Sequence, residues 1–301
     1  RFPKLWSAHA QVIPLRPLSR RASGRLIVHV LGPRGTPELV AEIVDRAEGN
    51  ALFLEELIRH AADRSEGQRP ETMLALLQAR ISRLDGPSRR ILRMASLFGE
   101  SFSLAGVSAL LDGKLASTEL GSWLAVLGRQ ELLQERVSRA LSPEPGASTD
   151  SSYRFRHALL RDAAYELLSP DERQAGHQAA AAFLEQSGGA TDIVLAEHLL
   201  RSAEPRAALP YLKRAADSAW TQASPSESLR LVEKALAAGA EGRVRGEFLA
   251  IRAGASIYDE DNVAALASAQ EARQYLAPGS RYWYLSLNTS TVAAGLTGDI
   301  G

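Results

Sequence analysis

Few residues in this chain have the type and spacing that chemistry requires. A phosphate-cradling loop needs G-x-x-x-x-G-K-[ST], whose amides wrap the phosphate and whose hydroxyl holds magnesium. The nearest stretch, Gly113-Lys114, has Ser108 in place of the first glycine and Leu115 in place of the hydroxyl residue, so it cannot serve. No His-Glu-x-x-His helix, Gly-x-Ser-x-Gly elbow or kinase catalytic loop occurs. Glu55 and Glu56 are adjacent, so on a helix they point about 100° apart, which suits a solvated edge better than paired acid–base work. His9, His29, His60, His177 and His198 show no ligand spacing. His157 and Arg161 stand one helical turn apart. Read from the residues alone, the histidine is a structural residue hydrogen-bonded where a strand pair meets a helix, and the arginine an ion-pair partner for Asp162 or the neighbourhood of Glu166. No catalytic or metal-binding residue is predicted.

Composition narrows the setting. A chain of 301 residues suits two or three domains. Lys+Arg and Asp+Glu are both 35, so no overall positive field favours nucleic acid or a membrane surface. With Cys 0, disulfides and thiolate metal sites are ruled out. No run approaches the ~18 consecutive apolar residues of a bilayer span. A cytoplasmic protein is expected. The sequence opens at Arg1 without an initiator methionine or signal pattern and closes on what reads as an unfinished repeat, the expectation being a piece of a longer protein.

Elements must position the few polar candidates. Residues 10–18 read as a strand leaving through prolines, and Ser19 as the cap of a helix carrying Leu26, Ile27, Val30 and Leu31. Leu39, Ile43 and Ala47 repeat every fourth residue, as do Leu54, Leu57, Ile58 and Ala61, so two amphipathic helices flank Gly49-Asn50. Glycine suits a left-handed helix end and asparagine the next helix start. Residues 65–70 are a polar linker. Helices are then predicted at 73–84, around 91–98, at 104–111 and at 117–128. Two short strands follow at 132–137 and 153–156 around the loop 142–150, rich in Ser, Pro and Gly. Ser169-Pro170 starts another helix. Beyond Gly188-Gly189 the chain is alanine-rich and helical, and residues 264–273 echo 227–236, as in a tetratricopeptide unit of ~34 residues. A third, less regular repeat falls near 190–203.

Two stretches carry a resemblance. Residues 46–59, Arg46-Ala-Glu-Gly-Asn-Ala-Leu-Phe-Leu-Glu-Glu-Leu-Ile-Arg59, resemble the "AEGNPxFxEEL" lid segment of the signal-transduction ATPases with numerous domains, with Ala51 where proline is usual. Residues 155–177 fit that family's "FRHxLxRDAAYxxLxxxxRxxxH" pattern at every marked position, from Phe155 to His177. The two patterns also stand in the family's order.

The resemblance implies a mainly α fold: the end of an ATPase core over 1–16, a helical lid over 17–66, a winged-helix region with a short β-hairpin and following helices over 67–187, and a tetratricopeptide-like α-solenoid over 188–301. It implies ATP or ADP with magnesium in the intact parent and none tightly bound to this piece, with Gly49, Asn50, His157 and Arg161 as accessory contacts, the histidine as a phosphate donor that holds the closed state and the arginine as a phosphate partner. It also implies a protein or peptide partner on the repeats. The output attached to such a region is a serine/threonine kinase, a nucleotide cyclase or a helix-turn-helix activator, and the stretch Pro278-Gly-Ser-Arg-Tyr-Trp283 leans towards the kinase. Direct DNA reading is not expected, since 117–128 offers no Arg, Lys, Asn or Gln and carries Glu119. A bare repeat scaffold would leave both patterns unexplained.

Overall fold

The computed structural model describes residues 16–62, 72–111, 117–136 and 152–297. Of the strand expected over 10–18, residues 10–15 lie outside these residues and 16–18 are not in a strand; the linker at 65–70, Gly113-Lys114 and the loop at 142–150 also lie outside them. The chain divides into two compact units between Asp85 and Gly86.

In the first unit, α1 (Arg20–Leu31) leads through a 3-10 turn (Gly32–Arg34) to α2 (Pro37–Ala47), α3 (Ala51–Ala62) and α4 (Met73–Ser82). Each start is marked by a side-chain cap. Ser19 accepts from the amide of Ala22 at 3.2 Å, Thr36 from Leu39 at 3.3 Å, Asn50 from Phe53 at 3.1 Å and Thr72 from Ala75 at 3.2 Å. Ile27, Leu31, Ile43, Ala47, Leu54, Leu57 and Leu76 form the core. Leu26 and Val30, on the other side of α1, stay exposed.

The second unit opens with α5 (Gly86–Ser96), β1 (Ser101–Ser103), α6 (Leu104–Leu110), α7 (Ser117–Arg129), β2 (Leu133–Arg136) and β3 (Ser152–Phe155). The expected hairpin is present, and a strand that the sequence did not announce completes it: the sheet is antiparallel in the order β1-β3-β2. Phe102 is the reason. It lies opposite Tyr153 and stacks on it, with ring centroids 5.9 Å apart, and stands 5.7 Å from the ring of Phe155. A three-residue strand with one apolar residue is too short to show alternation.

From there the chain is helical: α8 (Ala158–Glu166), α9 (Pro170–Ser187), α10 (Asp192–Leu200), a 3-10 turn (Pro205–Ala208), α11 (Leu209–Thr221), α12 (Pro225–Ala237), α13 (Gly242–Tyr258), α14 (Asn262–Arg273) and α15 (Arg281–Thr297). Ser169 and Glu172 close a capping box at the start of α9. Successive helices of α10–α15 pack on one another. The repetition is visible in their buried faces. Ser228, Leu231, Val232 and Ala235 of α12 recur 37 residues on as Ala265, Ser268, Ala269 and Ala272 of α14. The chain is therefore mainly α, with one small sheet among the described residues and a helical-repeat array.

Candidate functional site

Gly49 and Asn50 lie in the first unit, and their local geometry is fully determined. After α2 the backbone turns left-handed at Glu48 (φ 47°) and again at Gly49 (φ 78°). A Cβ on Gly49 would stand 2.6 Å from the carbonyl oxygen of Leu18 and 2.8 Å from Cβ of Pro17. The incoming chain is held there by the Leu18 amide, which donates to the Gly49 carbonyl at 2.9 Å. Glycine is required twice over, by conformation and by contact. Asn50 starts α3 through its side-chain cap and donates its own amide to Ala47 at 2.7 Å.

Beside this turn, Leu18, Leu26, Val30, Ala51, Glu55, Ile58 and Arg59 line a mostly apolar groove of about 470 Å³. Glu55 and Arg59 pair across one helical turn at 2.6 Å. Glu56 corrects the expectation of a solvated edge. It is 3% exposed and receives Arg80 of α4 at 2.5 Å. Burial pushes the Glu56 carboxyl above the usual range and the Arg80 guanidinium below it, each partly offset by the other's charge. One turn on, Arg83 meets Nδ1 of buried His60 at 3.2 Å. These two polar contacts fasten α4 to α3.

His157 and Arg161 lie in the second unit. His157 occupies the N-cap position of α8 in extended conformation, at the exit from β3, and its side chain does not cap the helix. Arg161 is committed to its surroundings. Its Nε donates to the carbonyl of Ser96 at the end of α5 (3.0 Å), its guanidinium pairs with Asp162 (3.0 Å) and its plane lies over Tyr165, 4.9 Å from the centroid. The expected ion pair with Asp162 is thus present.

The rest of the second pattern converges on the same tyrosine. Arg173 covers the ring of Tyr165 at 4.8 Å and ties back to Glu166, donating to its carbonyl at 3.1 Å and its carboxylate at 3.0 Å. The Tyr165 hydroxyl meets Nε2 of His177 at 3.0 Å, and Nδ1 of His177 meets Nδ1 of His198 at 3.0 Å. His177 is 0% exposed and His198 only 7%. Burial holds His177 down to about 3, helped by His198 and by Arg201 and Arg161. It holds His198 down to about 4, helped by Arg201. Both rings are neutral, so one imidazole donates and the other accepts across the Nδ1 pair. Tyr165, His177 and His198 thus form one buried hydrogen-bonded chain from α8 through α9 to α10, the first helix of the array.

His198 was missed in the sequence because its partner is 21 residues away, beyond any helical spacing. The available signal was its place in Ile193-Val-Leu-Ala-Glu-His-Leu-Leu200, three residues after Leu195 on a buried face. Among the described residues no group of three or more His, Asp or Glu is placed to hold a metal ion, and no helix is long and apolar enough to cross a membrane.

No family model matches the sequence. An uncharacterized protein of Rhizobium meliloti (strain 1021) is 26% identical over 251 residues, which cover 76% of this chain and 23% of that protein. A crystal structure of a signal transduction ATPase with numerous domains, carrying a tetratricopeptide repeat sensor, from Pyrococcus horikoshii aligns with 96% of this chain and 52% of its own length. The identity is 15% and the TM-score 0.36. The chain spans about a quarter of the curated relative and about half of the solved structure.

Proposed function

We propose that this chain is the regulatory portion of a multidomain signalling ATPase: a helical lid, a winged-helix region and a helical-repeat sensor that couples the nucleotide state of a core outside this sequence to partner binding. The observation that carries the reading is the convergence of Tyr165, Arg173, His177 and His198. Three of these are fixed positions of the second sequence pattern, and together they weld the helices after the small sheet to the first helix of the array. A sensor must pass a rearrangement of its repeats to its neighbour, and a buried polar network does so better than a flexible linker.

On this reading the repeats take a protein or peptide, magnesium and ATP or ADP belong to the intact cytoplasmic parent, and a serine/threonine kinase is the proposed output. Gly49 and Asn50 shape the lid turn, and His157 and Arg161 face the nucleotide from the winged helix. The exposed residues of α7, Thr118, Glu119, Ser122, Ala125 and Arg129, give one cation and no amide side chain, a poor surface for base edges. Calorimetry of this chain with magnesium and ATP tests the division of labour. Phosphate recognition supplies most of a nucleotide's handle, so no tight binding is expected; a dissociation constant in the low micromolar range would show that the nucleotide site lies in this chain. In the intact parent, His157→Ala should speed ADP release roughly ten- to a hundredfold, the worth of one hydrogen bond to a charged group.

A further inference from the structure

α15 presents two different faces. Tyr282, Ser286, Thr289, Ser290 and Ala293 are buried. On the other side Tyr284 is 59% exposed, Val292 42% and Leu296 63%, a stripe at helical spacing. The array itself shows what such a stripe is for. α13 and α15 are both 17 residues long, and moving α13 forward by 39 positions lays Gly242 on Arg281 and Tyr258 on Thr297.

The two faces then correspond. α13 meets α11 through Glu247, which receives Lys213 at 2.5 Å, and through Gly254, whose added Cβ would touch Trp220 at 3.0 Å. Their equivalents in α15, Ser286 and Ala293, are both buried. α13 meets α14 through Arg245, which donates to Glu271 at 2.8 Å, and through Arg252, which donates to Ser268 at 2.9 Å. Leu249 and Ala253 share that side by helical spacing. Moved forward by 39, these four positions become Tyr284, Asn288, Thr291 and Val292, and all four are exposed.

We infer that this face of α15 is a docking site for one further helix of the array, packed as α14 packs on α13. The chemistry of the occupant follows from the precedents. α14 buries Ala265, Ser268, Ala269 and Ala272, and α12 buries two small residues of its four, Ser228 and Ala235, at the same spacing. A helix with small residues at i, i+3, i+4 and i+7 forms the groove into which the larger Tyr284, Val292 and Leu296 fit.

The sequence has Cys 0, so an introduced pair reports contact without background. Residues 298–301 are replaced by a copy of residues 259–277, which by the same shift continue directly from α15. Thr291→Cys in α15 and Ser268→Cys in the copied helix then occupy the places of Arg252 and Ser268. The expected result is a disulfide formed in most of the chain under mild oxidation, and a melting temperature several degrees above that of the ungrafted chain. Ala269→Glu and Ala272→Glu in the copied helix should abolish both. Failure of the unmodified graft to crosslink or to raise the melting temperature overturns the inference. So does an ungrafted chain that sediments as a dimer and becomes monomeric with Val292→Glu, because the face is then taken by a second copy.

Discussion

The two sequence patterns are built from different physics. Around Gly49 and Asn50 everything is decided within a few residues and one returning strand of backbone: two left-handed residues, a cap and a contact with Pro17-Leu18 that leaves no room for a Cβ. The pattern that runs from Phe155 to His177 is decided by side chains that meet across α5, α8, α9 and α10. A short glycine motif can therefore persist for purely local reasons. A long motif with a tyrosine, arginines and a histidine at fixed separations records a joint between segments, and a joint is what the proposed sensor needs.

The largest expected effect is at that joint. His177→Ala removes a fully buried ring and strands both the Tyr165 hydroxyl and the His198 imidazole, so it should cost about 3–5 kcal/mol in denaturant unfolding of the second unit. His198→Ala and the double variant complete a cycle whose coupling should be about 1–3 kcal/mol. Additive single losses would mean that the rings merely pack.

How far the sequence could be read follows from the same contrast. Caps and periodicity announce themselves locally, so Ser19, Asn50 and Ser169 mark helices where they stand, and the echo of 227–236 in 264–273 holds in the buried faces at its shift of 37. Contacts between segments do not announce themselves. β1 rests on one phenylalanine, Glu56 finds Arg80 at a separation of 24 residues, and His177 finds His198 at 21. Arg161 finds Asp162 and Tyr165 within one helical turn, but the Ser96 carbonyl at a separation of 65 residues.

Next in size is the turn at Gly49. Gly49→Ala forces a side chain into a left-handed residue against the Leu18 carbonyl and should cost about 2–3 kcal/mol, read as lost hydrogen-exchange protection in α1–α3. Retained protection would show that the turn can shift away from Pro17-Leu18.

Acid should also separate the two regions. His177 and His198 are held to about 3 and about 4 in the fold, against 6.5 in the unfolded chain. The unfolded chain therefore binds more protons below 6.5. The stability contributed by the neutral pair is complete above that pH and is lost as pH falls towards 4, by up to about 1.4 kcal/mol per pH unit for each ring. Denaturant midpoints of the second unit between pH 7 and pH 5 measure it. His177→Gln with His198→Gln should flatten the profile, and an equally steep profile in that variant would place the acid sensitivity elsewhere. The smallest effect is Asn50→Ala, which removes one helix cap and should cost about 1 kcal/mol, confined to α3.

The central claim is that the Tyr165–His177–His198 chain makes α8, α9 and α10 one mechanical body. Hydrogen exchange by mass spectrometry on the whole chain, native against His198→Ala, tests it most directly. The account predicts faster exchange in α8 and α9 as well as in α10, because the network opens as a unit. Acceleration confined to α10, with α8 and α9 unchanged, would contradict it.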